Sequence, residues 1–93
     1  MAALSKAVVT VLGIDSKGII ARVSNALWQH EVNILDISQT IVDGFFNMIM
    51  IVDITAPTCS FDRLNDSLQE LGKKLNLQVR IQRSEIFEAM HQV

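Results

Sequence analysis

The residues with chemistry to offer come early in the chain. Asp15, Ser16 and Lys17 stand between Gly13 and Gly18, with an apolar, β-branched run before them and an amphipathic stretch after. A carboxylate, a hydroxyl and an ammonium at the mouth of a helix fit three readings: a plain turn, a catalytic loop, or a pocket for a small ligand. In the pocket reading, free amide N–H groups at Gly18 and Ile19, where the helix opens, suit a carboxylate. Asp15 suits a cationic group. In the turn reading, Gly13 and Gly18 serve the turn, Asp15 or Ser16 caps the helix, and Asn33 ends one.

Little else in the chain points to catalysis or metal binding. His30 and His91 form no close metal-binding motif, so no metal and no cofactor is expected. Cys59 precedes a helix start, which would lower its pKa, yet it has no catalytic partner and reads as structural. No Ser-His-Asp or Cys-His grouping follows from the spacing, and no enzyme is expected. The net charge is −2 with a pI of about 5.5 and no basic run, so direct nucleic-acid binding is not expected. One cysteine excludes an intrachain disulfide framework and fits a reducing compartment. Met1 to Ala7 lack a signal-peptide core and no 18-residue apolar run exists, so the expectation is a cytoplasmic protein without a membrane span.

The elements that must position these residues follow from periodicity. At 93 residues one domain is expected, with a core over about 7–83 and a tail over 84–93. Ala7 to Leu12 reads as a central strand buried on both faces. From Ile19 the period becomes helical, with Ile20, Val23 and Leu27 as the stripe and Ile19, Ala26 and His30 beside it, ending near Glu31. Asp43-Gly44 then marks a two-residue hairpin turn. Pairing across it sets Ile41, Gln39, Ile37 and Leu35 against Phe46, Met48, Met50 and Val52 as one core face. Val42, Thr40, Ser38, Asp36 and Ile34 face Phe45, Asn47, Ile49, Ile51 and Asp53 on the other. Ser60 caps a second helix with Asp62 in its first turn, Lys73 and Lys74 in its last, and Phe61, Leu64, Leu68, Leu71 and Leu75 on one stripe. Gly72 inside it costs about 1 kcal/mol relative to Ala and would fray the end. Leu77, Val79 and Ile81 point inward from a last strand whose other side carries Arg80 and Gln82. The tail suggests a short C-terminal helix on Ile86, Phe87 and Met90.

The order β-α-β-β-α-β predicts an α+β, ferredoxin-like fold: a four-stranded antiparallel sheet with two helices on one face. At this point the chain resembles the ACT domain, a small regulatory module of amino-acid metabolism. The resemblance rests on Gly13-Ile14-Asp15-Ser16-Lys17-Gly18-Ile19, the helix that follows, and Val32-Asn33-Ile34 at the entrance of the second strand. It covers about residues 7 to 83 and is similar to the short stand-alone bacterial ACT proteins, including relatives of the glycine-cleavage regulators. Lys17 stands where the family often has Pro, and Glu31 where many members have a helix-ending Gly. The resemblance implies a small-molecule effector, an amino acid, bound by Asp15, Gly18 and Ile19 with Asn33 supplied by a neighbouring subunit, and a protein partner to receive the signal. The alternative is a ligand-free dimeric interaction module. Acylphosphatases share the topology, but Asp15 would repel their phosphate. A homodimer is expected through an edge strand, Asn33–Val42 or Leu77–Arg83, or through the outer sheet face with Ile34, Val42, Phe45, Ile49 and Ile51. Trp28, off the helix stripe, either packs on the tail or makes a subunit contact.

Overall fold

The structure, a computed structural model, describes residues 5–56 and 59–84. The chain runs β1 (Lys6–Ile14), α1 (Ile19–Gln29), β2 (Asn33–Val42), β3 (Phe45–Asp53), α2 (Phe61–Leu75) and β4 (Leu77–Arg83). The strands form one antiparallel sheet in the order β2-β3-β1-β4. This is the ferredoxin-like arrangement, with two helices. The C-terminal helix expected over 84–93 falls, beyond Ser84, outside the described residues.

Alternation sorts β1 as a central strand should. Ala7, Val9 and Val11 are fully buried beside Met48, Met50 and Val52 of β3 and Val79 and Ile81 of β4. Ile19, Val23 and Leu27 of α1 and Leu64 and Leu68 of α2 close that core from above. Two expectations need correction here. The far face of β1 is buried only at Val8, whereas Leu12 is 45% exposed. In α1 the inward side includes Ile19, while Ile20 turns out to solvent.

The hairpin register matches expectation from Val42↔Phe45 to Asp36↔Ile51. Asp43 and Gly44 both have positive φ, 51° and 81°, as a tight hairpin turn of this kind demands. Beyond Asp36 the register shifts: a bulge at Leu35 brings Ile34 opposite Val52 and Asn33 opposite Asp53. One extra residue flips the alternation, so Ile34 joins the helix side, packed against the core, instead of the outer face. The expected core face is also only half buried. Phe46, Met48, Met50 and Val52 are covered, but Leu35, Ile37 and Ile41 are exposed, because β2 lies at the sheet's edge.

α2 begins with the expected Ser60 cap, whose hydroxyl accepts the Arg63 N–H, and the Arg83 guanidinium stacks on Phe61 at 4.6 Å. The helix does not fray at Gly72 but continues to Leu75. Gly72 is buried, and a Cβ there would lie 2.8 Å from the Leu77 carbonyl oxygen. Its missing side chain is what lets α2 descend onto β4. Gln69, one turn earlier, donates from Nε2 to the Val79 carbonyl at 2.6 Å. Gly13 is likewise a strand residue, not part of the loop: Leu77 Cδ2 occupies the place its Cβ would take.

Gly72→Ala therefore sets two effects against each other. Helix propensity favours Ala by about 1 kcal/mol, but overpacking against rigid backbone costs about 1–3 kcal/mol. Urea unfolding should show a net loss of stability; a gain would mean that α2 does not sit this close to β4. Glu31, by contrast, holds a left-handed φ of 58° just past the end of α1. Glu31→Gly should raise the melting temperature, by a stabilisation of up to about 1 kcal/mol.

Candidate functional site

Because β1 runs on through Ile14, the loop shrinks to Asp15–Gly18. It is pinned at its start, where the Asp15 N–H donates to the Gly44 carbonyl in the β2–β3 turn at 2.9 Å. It is shaped at its end by Gly18, whose φ of 80° lies where L-residues are strained. Gly18 is itself the N-cap of α1. No side chain caps that terminus and no acidic residue lies in its first turn. Neither Asp15 nor Ser16 therefore performs the capping role that the turn reading gave it. The contrast with α2 is direct, since that helix has both a Ser60 cap and Asp62. Ile19 anchors the start of α1 by burying its side chain, at 2% exposure, while its amide belongs to the open first turn. Asp15, Ser16, Lys17 and Gly18 are all exposed around that opening. Unpaired first-turn amides beside a solvated carboxylate can take a carboxylate and an ammonium side by side.

Asn33 is not part of this cluster in one protomer. It opens β2, opposite Asp53, which in turn pairs with Lys6. The loop instead follows Ile14, which pairs with Phe45 at the other end of the sheet. At about 3.4 Å per residue the two places lie on the order of 30 Å apart. Beside Asn33 lies an open groove of about 520 Å³ lined by Trp28, Gln29, Glu31 and Val32. A second, of about 490 Å³, has Ile14, Phe45, Lys73, Asn76 and Leu77 among its walls, adjoining the loop without including Asp15 or Gly18. Neither groove joins the two halves. Next to Asn33, the Asp53 carboxyl is held below its usual pKa, first by its hydrogen bond with the Thr55 hydroxyl and then by the Thr55 amide.

The remaining candidates separate by exposure. Trp28 is 74% exposed; Phe45 and Ile49 are exposed on the outer face, with Ile51 half-buried beside them. His30 is the C-cap of α1, and its Nε2 shares a 2.8 Å hydrogen bond with the Ser67 hydroxyl of α2. That bond accounts for a histidine in an apolar stripe, and sequence spacing gave no hint of Ser67. Burial pushes the Cys59 thiol up, against the lowering expected from its place near a helix start. Among the described residues no group of three or more His, Cys, Asp or Glu is placed to hold a metal ion. No helix among them is long and apolar enough to cross a membrane.

Comparison with known proteins agrees with this fold. The sequence profile of the ACT domain matches residues 5–82. A UPF0237 protein of Bifidobacterium longum is 50% identical over 90 residues, spanning 97% of this chain and all of its own. The solved ACT domain protein from Streptococcus pneumoniae is 38% identical, covers 96% of this chain and 100% of its own, and superposes with a TM-score of 0.80. A putative glycine cleavage system transcriptional repressor shares the fold, with a TM-score of 0.78 at 24% identity over 89% of this chain and 47% of its own. ACT domains are regulatory ligand-binding modules that commonly dimerise. By profile, by relatives and by fold, this chain belongs to the ACT-domain family.

Proposed function

We propose that this protein is a cytoplasmic, non-enzymatic regulatory homodimer that binds an amino acid and passes the signal to a protein partner. The observation that carries the reading is the N-terminus of α1, left without side-chain cap or acidic residue and set beside the exposed Asp15. The amides at Gly18 and Ile19 take the ligand's carboxylate. Asp15 takes its ammonium through a charge-assisted hydrogen bond. Lys17, beside them, adds a cation that favours the carboxylate end. Asn33, too far away in its own protomer, serves the loop of the second protomer. A dimer then holds two equivalent sites, each built from both chains, and ligand occupancy is coupled to how the protomers meet. A surface that changes with that coupling is what a regulated protein would read.

A second reading, a ligand-free interaction module, draws on one observation of its own. Val42, Phe45 and Ile14 form an exposed apolar row across three strands of the outer face. The two readings part in a thermal-shift screen against the common amino acids, since a ligand that binds only the folded dimer raises its melting temperature. A silent screen would favour the interaction module.

Given a hit, Asp15→Ala should lose about 1.5–3 kcal/mol of binding, roughly 10- to 100-fold in affinity by calorimetry. Because Asp15 caps nothing, the melting temperature of the unliganded variant should stay close to that of the parent. Asn33→Ala removes a neutral hydrogen bond and should weaken binding by about 0.5–1.5 kcal/mol while the protein still folds and dimerises. Unchanged affinity in both variants would place the ligand elsewhere.

A further inference from the structure

One buried residue stands outside the core. Both helices pack on the face that carries Ala7, Val9 and Val11, and every buried apolar side chain among the described residues joins that cluster except Val8. Alternation along β1 turns Val8 to the outer face with Thr10, Leu12 and Ile14. It is nevertheless only 3% exposed. Leu12 supplies the comparison within the same strand. Each of the two stands between a β3 residue and a β4 glutamine: Asn47 and Gln78 for Leu12, Ile51 and Gln82 for Val8. Yet Leu12 is 45% exposed. The neighbouring strands follow the same gradient. Along β3 the outer face passes from exposed Phe45 and Ile49 to half-buried Ile51, and along β4 from exposed Gln78 and Arg80 to half-buried Gln82. Something covers this end of the outer face, and both described helices lie on the other side of the sheet.

We propose that the C-terminal segment 85–93 is this cover, an amphipathic helix laid across the outer face over Val8 and Ile51. The proposal does not depend on any ligand. The segment starts in the right place: β4 ends with Arg83 opposite Ala7, one residue from Val8, and Ser84 is already helical. It has the right length. Nine residues of helix span about 13 Å. The way from β4 over β1 to β3 is two strand spacings, roughly 10 Å. It also has the right pattern. In EIFEAMHQV, helical spacing gathers Ile86, Phe87, Ala89, Met90 and Val93 on one side and leaves Glu85, Glu88, His91 and Gln92 on the other. Charge agrees as well. Lys6 and Arg80, exposed on the same face two residues along from Val8 and Gln82, offer cations to the two glutamates.

Other occupants fit less well. Val8 is buried within one chain, so no second copy is needed to cover it. Residues 1–4 lead into Ser5, whose N–H and carbonyl are engaged by Thr55 and Ile54 just past the end of β3. They offer only Met1 and Leu4 as large apolar side chains. With 85–93 in place the outer face is divided. Its Val8 end is taken by the chain itself, and the exposed row of Ile14, Phe45 and Val42 at the loop end is the part left to a protein partner. A partner that needs the whole face must first displace the segment.

Thiol reactivity at position 8 tests this in the full-length chain. In a Cys59→Ser background, Val8→Cys and Leu12→Cys are made singly and labelled with a disulfide-exchange reagent. A covered thiol reacts only when its cover opens, so Val8→Cys should label roughly 10- to 100-fold more slowly than Leu12→Cys. Ile86→Asp or Met90→Asp, added to each, should bring the rate at position 8 close to that at position 12. The rate at position 12 and the circular dichroism spectrum should not change. Equal rates at the two positions without the aspartates would overturn the cover. Slow labelling at position 8 that neither aspartate relieves would overturn the segment as its source, and relief on removing residues 1–4 instead would assign the cover to the other terminus. Protection that disappears on dilution would assign it to a second copy and equally overturn the proposal. Methyl NOEs in the unsubstituted protein answer the same question without any variant. Val8 should show contacts to Ile86, Phe87 or Met90; contacts to Met1 or Leu4, or to neither terminus, would contradict the proposal.

Discussion

Backbone amides and carbonyls at a sheet edge must be met by something, and this protein meets them differently at its two edges. On β4 the answer lies within the chain. Gly72 gives up a side chain so that α2 can lie on Leu77, and Gln69 spends its amide on Val79. On β2 the Asp36 carboxylate takes the Ile37 N–H, and Ile37 and Ile41 lie exposed along the rest of that edge. The position of α2 therefore leaves the two edges of the sheet unequally covered. In the site proposed above, Asn33 and Asp15, separated by the length of the sheet in one chain, come from different protomers.

The chemistry of the loop depends on a helix left unfinished. A small protein that provides Ser60 and Asp62 for α2 provides neither for α1, and uses Gly18 in a left-handed conformation to begin it. An uncapped terminus exposes amide donors that water satisfies less rigidly than a side chain would. The loop is fixed at its other end by a backbone bond to the hairpin turn, so Asp15 is positioned by β3 rather than by α1. A ligand spanning Asp15 and the α1 amides would tie these two elements together. The turn that anchors the loop joins β2 to β3, so such a tie also stiffens the end of that hairpin.

Much of this was legible in the sequence, and the failures have physical causes. Asp43-Gly44 fixed the hairpin, and alternation carried the register faithfully as far as Asp36. It failed at Leu35 because a bulge adds one residue without any composition signal, and every position before it changes face. Ile34 was therefore assigned to the wrong side. Leu35, Ile37 and Ile41 were read as core because periodicity reports which side a residue faces, not whether a helix reaches over it. Gly72 looked like a weakness in α2 because propensity sees only the helix and not the strand beneath it. Gly13 looked like a turn for the same reason. The His30–Ser67 bond joins residues 37 apart in sequence and had no local signature. The residues of the loop were legible as a set, but the absence of a cap on α1 was not, since Asp15 and Ser16 are both good capping types.

The central claim is that each site is built from two chains, and mixed dimers test it most directly. Protomers carrying Asp15→Ala are combined with protomers carrying Asn33→Ala, and the best amino acid from the thermal-shift screen is titrated by calorimetry. In a shared site, the intact loop of one protomer meets the intact Asn33 of the other, while the remaining site carries both lesions. Mixed dimers should therefore recover one site of parental affinity. If each site lay within a single chain, every site would keep one lesion, and mixing would restore nothing.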